Sequence, residues 1–395
     1  MSSYLKRYRL TLETVGPVFV GSGEKRTQKE YCVSAKKVYF PDMGRMYADI
    51  VARGKRDSFE RFILASSRTG GGRRGGQMRA AQRLGEWLSA NGWAQPDQAR
   101  WGGYEVGLGG CEESKGRYDP GSRTTSRGKV PPINDIVTFM KDPYGNPYVP
   151  GSSIKGLLRT LLLEYLVNRK EKEGGRRDLT NPGTNAGRLE ASFLRTLLRE
   201  GTRSDNAVND VLQALSVADG APLRLSDLAI CQKIDRNTKD SPAGLPLYRE
   251  CLVPHLSLDF DITVNMAVNA QLCGKDLSWW VGNLANIAGE LYPARYGQYV
   301  TAFRPAEIGL LVQEKGCFVY LGGGAGFRSK TVVNNQDVMA KILEGQFGGG
   351  RQRAVRHESA TKRTGVSPLV VKLTKFRDRY YEMGKCSIAI EPLDQ

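Results

Sequence analysis

The chain has 395 residues, of which 40% are hydrophobic, enough for two compact domains with their own cores and too much for wholesale disorder or a small stapled fold. Lys and Arg number 58 against 41 Asp and Glu, a formal net charge of +17, which points to a polyanion. No run approaches the ~18 apolar residues that a membrane-spanning helix needs, so nucleic acid is a better fit than a bilayer.

Met1 to Leu12 alternates polar and apolar side chains instead of forming the apolar core of a signal peptide, and a cytoplasmic protein is expected. Tyr8, Leu10 and Leu12 mark a first strand, Val18 and Val20 resume the alternation, and Gly21-Ser22-Gly23 reads as a turn. Tyr31 to Val33 and Val38 to Phe40 complete a meander, and Asp57 to Leu64 reads as a short helix. From Ser66 to Arg83 five glycines alternate with five arginines, and Ser114 to Lys129 is again basic and polar; both are expected to be mobile insertions, together covering about 66–130.

The strongest helical pattern runs from about Ser153 to Arg169, with Ile154, Leu157, Leu158, Leu161, Leu162, Tyr165 and Leu166 on one face. Leu194 to Leu215 is also helical in pattern, and Leu223 to Ile230 reads as a strand. The Asp, Asn, Pro and Gly cluster at Arg236 to Gly244 is linker-like and places a domain boundary there, dividing the chain into 1–235 and 236–395. The second half opens with a strand through Leu256, Leu258, Phe260, Ile262 and Val264, then a helix carrying Trp280, Leu284, Ile287 and Leu291. A strand at Phe318 to Leu321, a glycine loop, a basic segment from Gly348 to Arg363 and a hairpin turning at Met383-Gly384 follow. The expected class is α+β, two modules with antiparallel sheets.

Three glycine-bearing segments could hold phosphates, because backbone without side chains approaches an anion closely. The first is Gly21, Ser22 and Gly23 with Lys25 and Arg26, whose plainer reading is a tight turn. The second is Gly151, Ser152, Ser153, Lys155 and Gly156 with Arg159, opening the long helix; a cation in a first helical turn is unfavourable for the helix alone, so Lys155 is placed for a phosphate or else is a surface lysine. The third is Gly322, Gly323, Gly324 and Gly326 with Phe327, Arg328 and Lys330, suited to phosphates plus a stacking ring. Neither the nucleotide P-loop nor the dinucleotide glycine spacing is met.

Catalytic candidates are few. The two histidines are His255, read as structural, and His357, in the arginine-rich tract and the one to test for RNA cleavage. Cys251 and His255 lack a second ligand pair for zinc, and Asp259 with Asp261 or Asp205 with Asp210 lack a third partner for magnesium, so no metal or cofactor is expected. Seven cysteines without a Cys-x-x-Cys pair support no disulfide framework.

Leu10-Thr11-Leu12 through Pro17 to Gly23, Tyr148 to Gly156 with Leu158-Arg159, and Tyr320 to Lys330, taken together, resemble the RAMP superfamily of CRISPR-associated proteins. Lys29-Glu30-Tyr31, Tyr39 to Asp42, Leu225 to Leu228 and Tyr248-Arg249-Glu250 narrow the likeness to the family of fifth subunits of type III-A Csm effector complexes. The resemblance implies two ferredoxin-like, RRM-related modules and a non-catalytic role capping the 3′ end of the guide crRNA. It also implies contacts with a backbone RAMP subunit and a small helical subunit, with cellular nucleases as further candidate partners. Relatives tend to carry glycine where His255 stands. The alternatives are a metal-independent endoribonuclease that processes crRNA and a basic DNA-binding or ribosome-associated protein, the latter disfavoured because no helix shows a groove-reading pattern.

Overall fold

The computed structural model describes residues 4–34, 36–65, 82–110, 133–173, 186–197, 199–203, 206–238, 242–272, 276–332, 335–347 and 357–393. The basic tracts at 66–81, 111–132 and 348–356 lie outside the described residues, and with them the expectation of mobile insertions.

The strands in chain order are β1 (Leu5–Thr14), β2 (Gly21–Arg26), β3 (Cys32–Val33), β4 (Lys37–Phe40), β5 (Tyr104–Leu108), β6 (Ile136–Phe139), β7 (Leu215–Val217), β8 (Leu228–Asn237), β9 (Ala243–Leu252), β10 (Ser257–Asn265), β11 (Leu310–Leu311), β12 (Phe318–Tyr320), β13 (Val370–Phe376), β14 (Arg379–Glu382) and β15 (Lys385–Pro392). Five of them form one sheet in the order β12-β15-β1-β10-β7, antiparallel throughout. The other ten form a second sheet, built along β11-β14-β13-β8-β5-β4-β3 with β9, β6 and β2 branching from β8.

The five-stranded sheet follows from strict alternation. Tyr8, Leu10, Leu12 and Thr14 of β1 and Leu258, Phe260, Ile262 and Val264 of β10 are buried, while Thr11 and Asp259, directly opposite one another, are joined by a 2.7 Å hydrogen bond on the other face. A period of two sends every second side chain to the same face. The Gly151–Lys172, Leu277–Gly282 and Leu284–Gln298 helices close over the apolar side, contributing Ile154, Leu158, Trp280, Leu284 and Ile287 to the same core.

The ten-stranded sheet departs from the antiparallel expectation. The pairs β5 with β8, β6 with β9 and β11 with β14 are parallel, because long connections return the chain to the sheet in the same direction. Its interior holds Glu250, fully buried, which accepts hydrogen bonds from Tyr104 (2.8 Å), the Phe139 amide (2.8 Å) and Lys141 (2.5 Å).

Each sheet draws strands from both sides of residue 236. That residue lies inside β8, and the linker-like stretch after it joins β8 to β9, which pair antiparallel through Ile234 and Gly244. The helical pattern at Leu194–Leu215 resolves into a helix at Ala186–Leu194, two short 3-10 turns and β7. Asn206 and Asp210 cap those turns with their side chains, and such local bonds compete with a continuing helix. The expected strand at Leu223–Ile230 starts later, at Leu228, after a 3-10 turn at Leu225–Asp227.

A four-helix cluster, Met43–Ala52, Arg56–Leu64, Leu84–Ala90 and Gln98–Trp101, sits between β4 and β5 with its own core of Met46, Ile50, Phe59, Phe62, Trp87, Trp93 and Trp101. Asp49 is buried inside it and accepts from Trp101 Nε1 (3.0 Å) and Arg100 (2.5 Å). Lys29 fastens the cluster to the meander by donating to the last carbonyls of the second helix, Phe62 and Ile63, each at 2.8 Å, where the helix end carries partial negative charge.

Candidate nucleic-acid interface

The long helix starts where only glycine fits. A Cβ on Gly151 would stand 2.4 Å from the Val217 carbonyl oxygen and 2.7 Å from that of Ala218. The Gly151 amide donates to Asp219 at 2.7 Å, so a carboxylate of the chain itself already occupies the positive end of the helix. Lys155 turns back to donate to the Leu215 carbonyl at 2.7 Å, and burial lowers its pKa. Arg159 is clamped between Glu190 (2.5 Å) and Asp210 (2.6 Å); burial works against its charge, and these two partners outweigh it. Ser152 and Gly156 are exposed, and a Cβ on Gly156 would meet nothing within 4 Å.

The glycine loop is fixed by close approach as well as by dihedral angle. Gly322, Gly324 and Gly326 have φ of 79°, 86° and 88°, a region costly to side chains. A Cβ on Gly322 would lie 2.0 Å from the Phe19 carbonyl oxygen, and the Gly323 amide donates to that same oxygen at 2.8 Å. Gly324 lies against Arg249 and Met383, and Gly326 against Lys372. Arg328 is buried, donating to the Thr331 carbonyl at 3.2 Å and lying 4.0 Å from Glu164. Phe327 is partly exposed and Lys330 exposed.

Gly21, Ser22 and Gly23 belong to β2 instead of forming a turn, because β6 pairs with the segment across a bulge between Gly21 and Lys25. Ser22 shares a 2.7 Å hydrogen bond with Thr138, Lys25 pairs with Asp135 at 2.7 Å, and Arg26 pairs with Glu30 at 3.2 Å. These residues begin two positions after Phe19, the residue the glycine loop grips.

The second and third segments meet in a cleft of about 340 Å³. Ser153, Gly156, Ser329 and Lys330 lie among its lining residues, with Glu164, Tyr292, Arg295, Phe318 and Tyr320. Beneath it is a buried ionic cluster at the β14 to β15 connection, where the chain passes from one sheet to the other. Glu382 stands 3.6 Å from Arg295 and 3.3 Å from Lys385, and accepts from Tyr320 at 2.9 Å. The Arg295 guanidinium lies 3.8 Å from the Tyr320 ring centroid, and Lys385 lies 4.3 Å from that of Phe318. Burial lowers the Lys385 pKa and raises that of Tyr320.

Cations that sequence reasoning missed flank the loop. Arg249 lies over the Phe19 ring at 5.1 Å, Lys372 pairs with Asp235 at 2.7 Å, and Lys233 has its pKa lowered by burial and by the charges of Lys372 and Arg249. Asp235 acts on both lysines, and the Arg249 charge adds to theirs. Their signal in the sequence is weak, since each is an ordinary polar position on an alternating strand; only the pairing of β8 with β9 and β13 brings them together.

The catalytic and metal candidates do not assemble. His255 is exposed in a turn at φ 68° and lies 3.8 Å from Glu13, while His357 opens the His357–Thr364 helix. Cys251 is buried. Asp261 pairs with Arg9, Asp210 with Arg159, and Asp205 lies outside the described residues. Among the described residues no group of three His, Cys, Asp or Glu could hold a metal, and no helix is long and apolar enough to cross a membrane.

Comparison with known proteins identifies the family and the fold. The model of the RAMP superfamily matches residues 11–294. A Mycobacterium tuberculosis protein named CRISPR system Cms protein Csm5 is 43% identical over 99% of both chains, and its namesake in Streptococcus thermophilus is 28% identical over 100% of both. Among solved structures, a chain of a cryo-EM Csm-crRNA-target RNA ternary complex of a type III-A CRISPR-Cas system superposes with a TM-score of 0.55 at 18% identity, covering 97% of this chain and 100% of that one. The crystal structure of T. onnurineus Csm5 gives 0.55 at 17% identity, covering 95% and 99%. The chain therefore belongs to the RAMP superfamily and, within it, to the Csm5 family.

Proposed function

We propose that the protein is a non-catalytic, cytoplasmic subunit of a type III-A Csm ribonucleoprotein that caps and holds the 3′ end of the crRNA. In this reading it docks against a backbone RAMP subunit and a small helical subunit, with cellular nucleases finishing the guide end. The observation that carries the reading is the convergence of the helix-opening segment and the glycine loop on one cleft beside a group of cations, in a chain of net charge +17. Phosphates are met by exposed Lys330, by Lys233, Lys372 and Arg249, and by Lys25 and Arg26 on β2, with Gly21, Ser22, Gly23, Ser152, Ser153 and Gly156 offering close backbone or hydroxyl approach. Lys155, Arg159 and Arg328 serve the same site from behind by fixing the helix and loop that frame it. The antiparallel five-stranded sheet with helices over one face supports a ferredoxin-like, RRM-related module.

The test is binding of guide-length single-stranded RNA by the purified chain across a salt series. Lys330→Glu and Lys233→Glu are each expected to weaken binding several-fold and to reduce the salt slope by about one counterion; unchanged affinity and slope in both would overturn the phosphate role. In a reconstituted complex the chain is expected to shield the guide 3′ end from an added 3′ exonuclease. Cleavage of the RNA by the purified chain, lost in His357→Ala, would replace the proposal with the nuclease reading.

A further inference from the structure

Resting on the RNA-binding reading above, we propose that the interior of the cleft between the Gly151–Lys172 helix and the glycine loop is a pocket for a single unstacked RNA base, with the phosphates met at its rim. A phosphate site needs cations whose charge is still on offer. Arg295 is instead committed to the Tyr320 ring and Glu382, and Arg328 to the Thr331 carbonyl with Glu164 nearby. Glu164 itself lines the cleft, and a carboxylate facing a phosphate is repulsive.

An unstacked base presents the opposite demands: two apolar faces and an edge of hydrogen-bond donors and acceptors. Leu157, Leu161, Leu291 and Phe318 supply apolar lining, and Ser153, Thr160 and Ser329 supply hydroxyls. Arg295 is 7% exposed, lines the cleft, and its Nε has no hydrogen-bond partner among the described residues. A buried donor left in that state is costly, and a ligand acceptor would satisfy it. Glu164, lining the same cleft, offers carboxylate acceptors to the amino edge of a base. The volume, about 340 Å³, lies at the low end of small-ligand pockets, and Lys330 lines the same cleft, exposed, where the nucleotide's own phosphate would remain outside.

The experiment is an abasic scan: single-stranded RNAs of the guide 3′ region, each lacking one base, are titrated against the full chain. One position is expected to lose about tenfold in affinity, the scale of one base stacked on protein, while its neighbours change little. Gly156→Leu, whose side chain would project into open space at the cleft, is expected to erase that contrast by bringing intact RNA down to the affinity of the abasic one. Glu164→Gln, which keeps the shape, is expected to alter by several-fold which base is preferred at that position. A flat scan with tight binding throughout would overturn the pocket and leave the RNA-binding reading standing. No binding to any RNA would overturn both.

Discussion

Replacing Glu382 by Gln tests what holds the two sheets together beneath the cleft. The side chain is 3% exposed and is the carboxylate between Arg295 at 3.6 Å and Lys385 at 3.3 Å. Coulomb's law at an effective dielectric of ~20 gives each contact about 5 kcal/mol. The full sum is not lost: Gln can still accept from Tyr320, Arg295 keeps its cover by the Tyr320 ring, and Lys385 can shed its proton. A net cost of about 3–5 kcal/mol remains, the range for removing one partner of a buried pair. The pH dependence carries the diagnosis. Burial already holds the Lys385 pKa below its usual value, with Glu382 opposing the shift, so the variant depresses it further. Between the folded pKa and the unfolded value the unfolded chain binds more protons, and stability there rises with pH. Urea denaturation across a pH series below the unfolded lysine value of ~10.4 should therefore show a deficit in Glu382→Gln that shrinks toward alkaline pH. A variant within about 1 kcal/mol of the parent, with a parallel pH profile, would refute this account.

Gly151→Ala should cost about 2–3 kcal/mol, because its Cβ would meet two backbone oxygens that cannot move aside; denaturant melts with no loss would contradict the close approach. His255→Gly should raise stability by about 0.5 kcal/mol, the relief of a left-handed backbone less the entropy glycine adds to the unfolded chain, measured in the same melts. Asp49→Asn should destabilise the four-helix cluster by about 1–2 kcal/mol. Burial alone would raise the Asp49 pKa, but hydrogen bonds from Trp101, Arg100 and Arg53 hold it below the usual value. Its contribution is thus present above the unfolded pKa and lost as pH falls through the folded one, so parent and variant should converge in acid.

Alternation made the five-stranded sheet readable, since β1 and β10 each bury every second residue, and the 3.6-residue spacing of Ile154, Leu158 and Leu161 did the same for the long helix. The second sheet was less readable because its parallel pairs join segments far apart in the chain, and no local pattern marks such a partner. The four-helix cluster was mostly missed beyond Asp57–Leu64: its helices are short, and tryptophans from separate turns build its core. The stretch after Arg236 has linker composition because a hairpin connection needs the same residues as a linker. Many strings that identify the family are fasteners: Lys29 and Asp42 cap opposite ends of two helices, Asp227 caps a 3-10 turn, and Glu250 ties β9 to β6. Spacing alone could not show that Lys155 and Arg159 turn inward, because that depends on Leu215, Glu190 and Asp210 arriving from elsewhere.

The position of β1 between β10 and β15 has a consequence for synthesis. This strand pairs on one side with residues 257–265 and on the other with 385–392, both made long after it. At roughly 5–20 residues per second, the second partner follows after roughly 20–80 s, and the edge of β1 that faces it stands open for that whole time, well after β10 has been made. Open edges invite pairing with other chains. Lys6, Arg7 and Arg9 place like charges along this strand, and those charges repel a second nascent copy. Loss of β15 would uncover one edge of β1, so these two strands, far apart in the chain, form one unit of quality control.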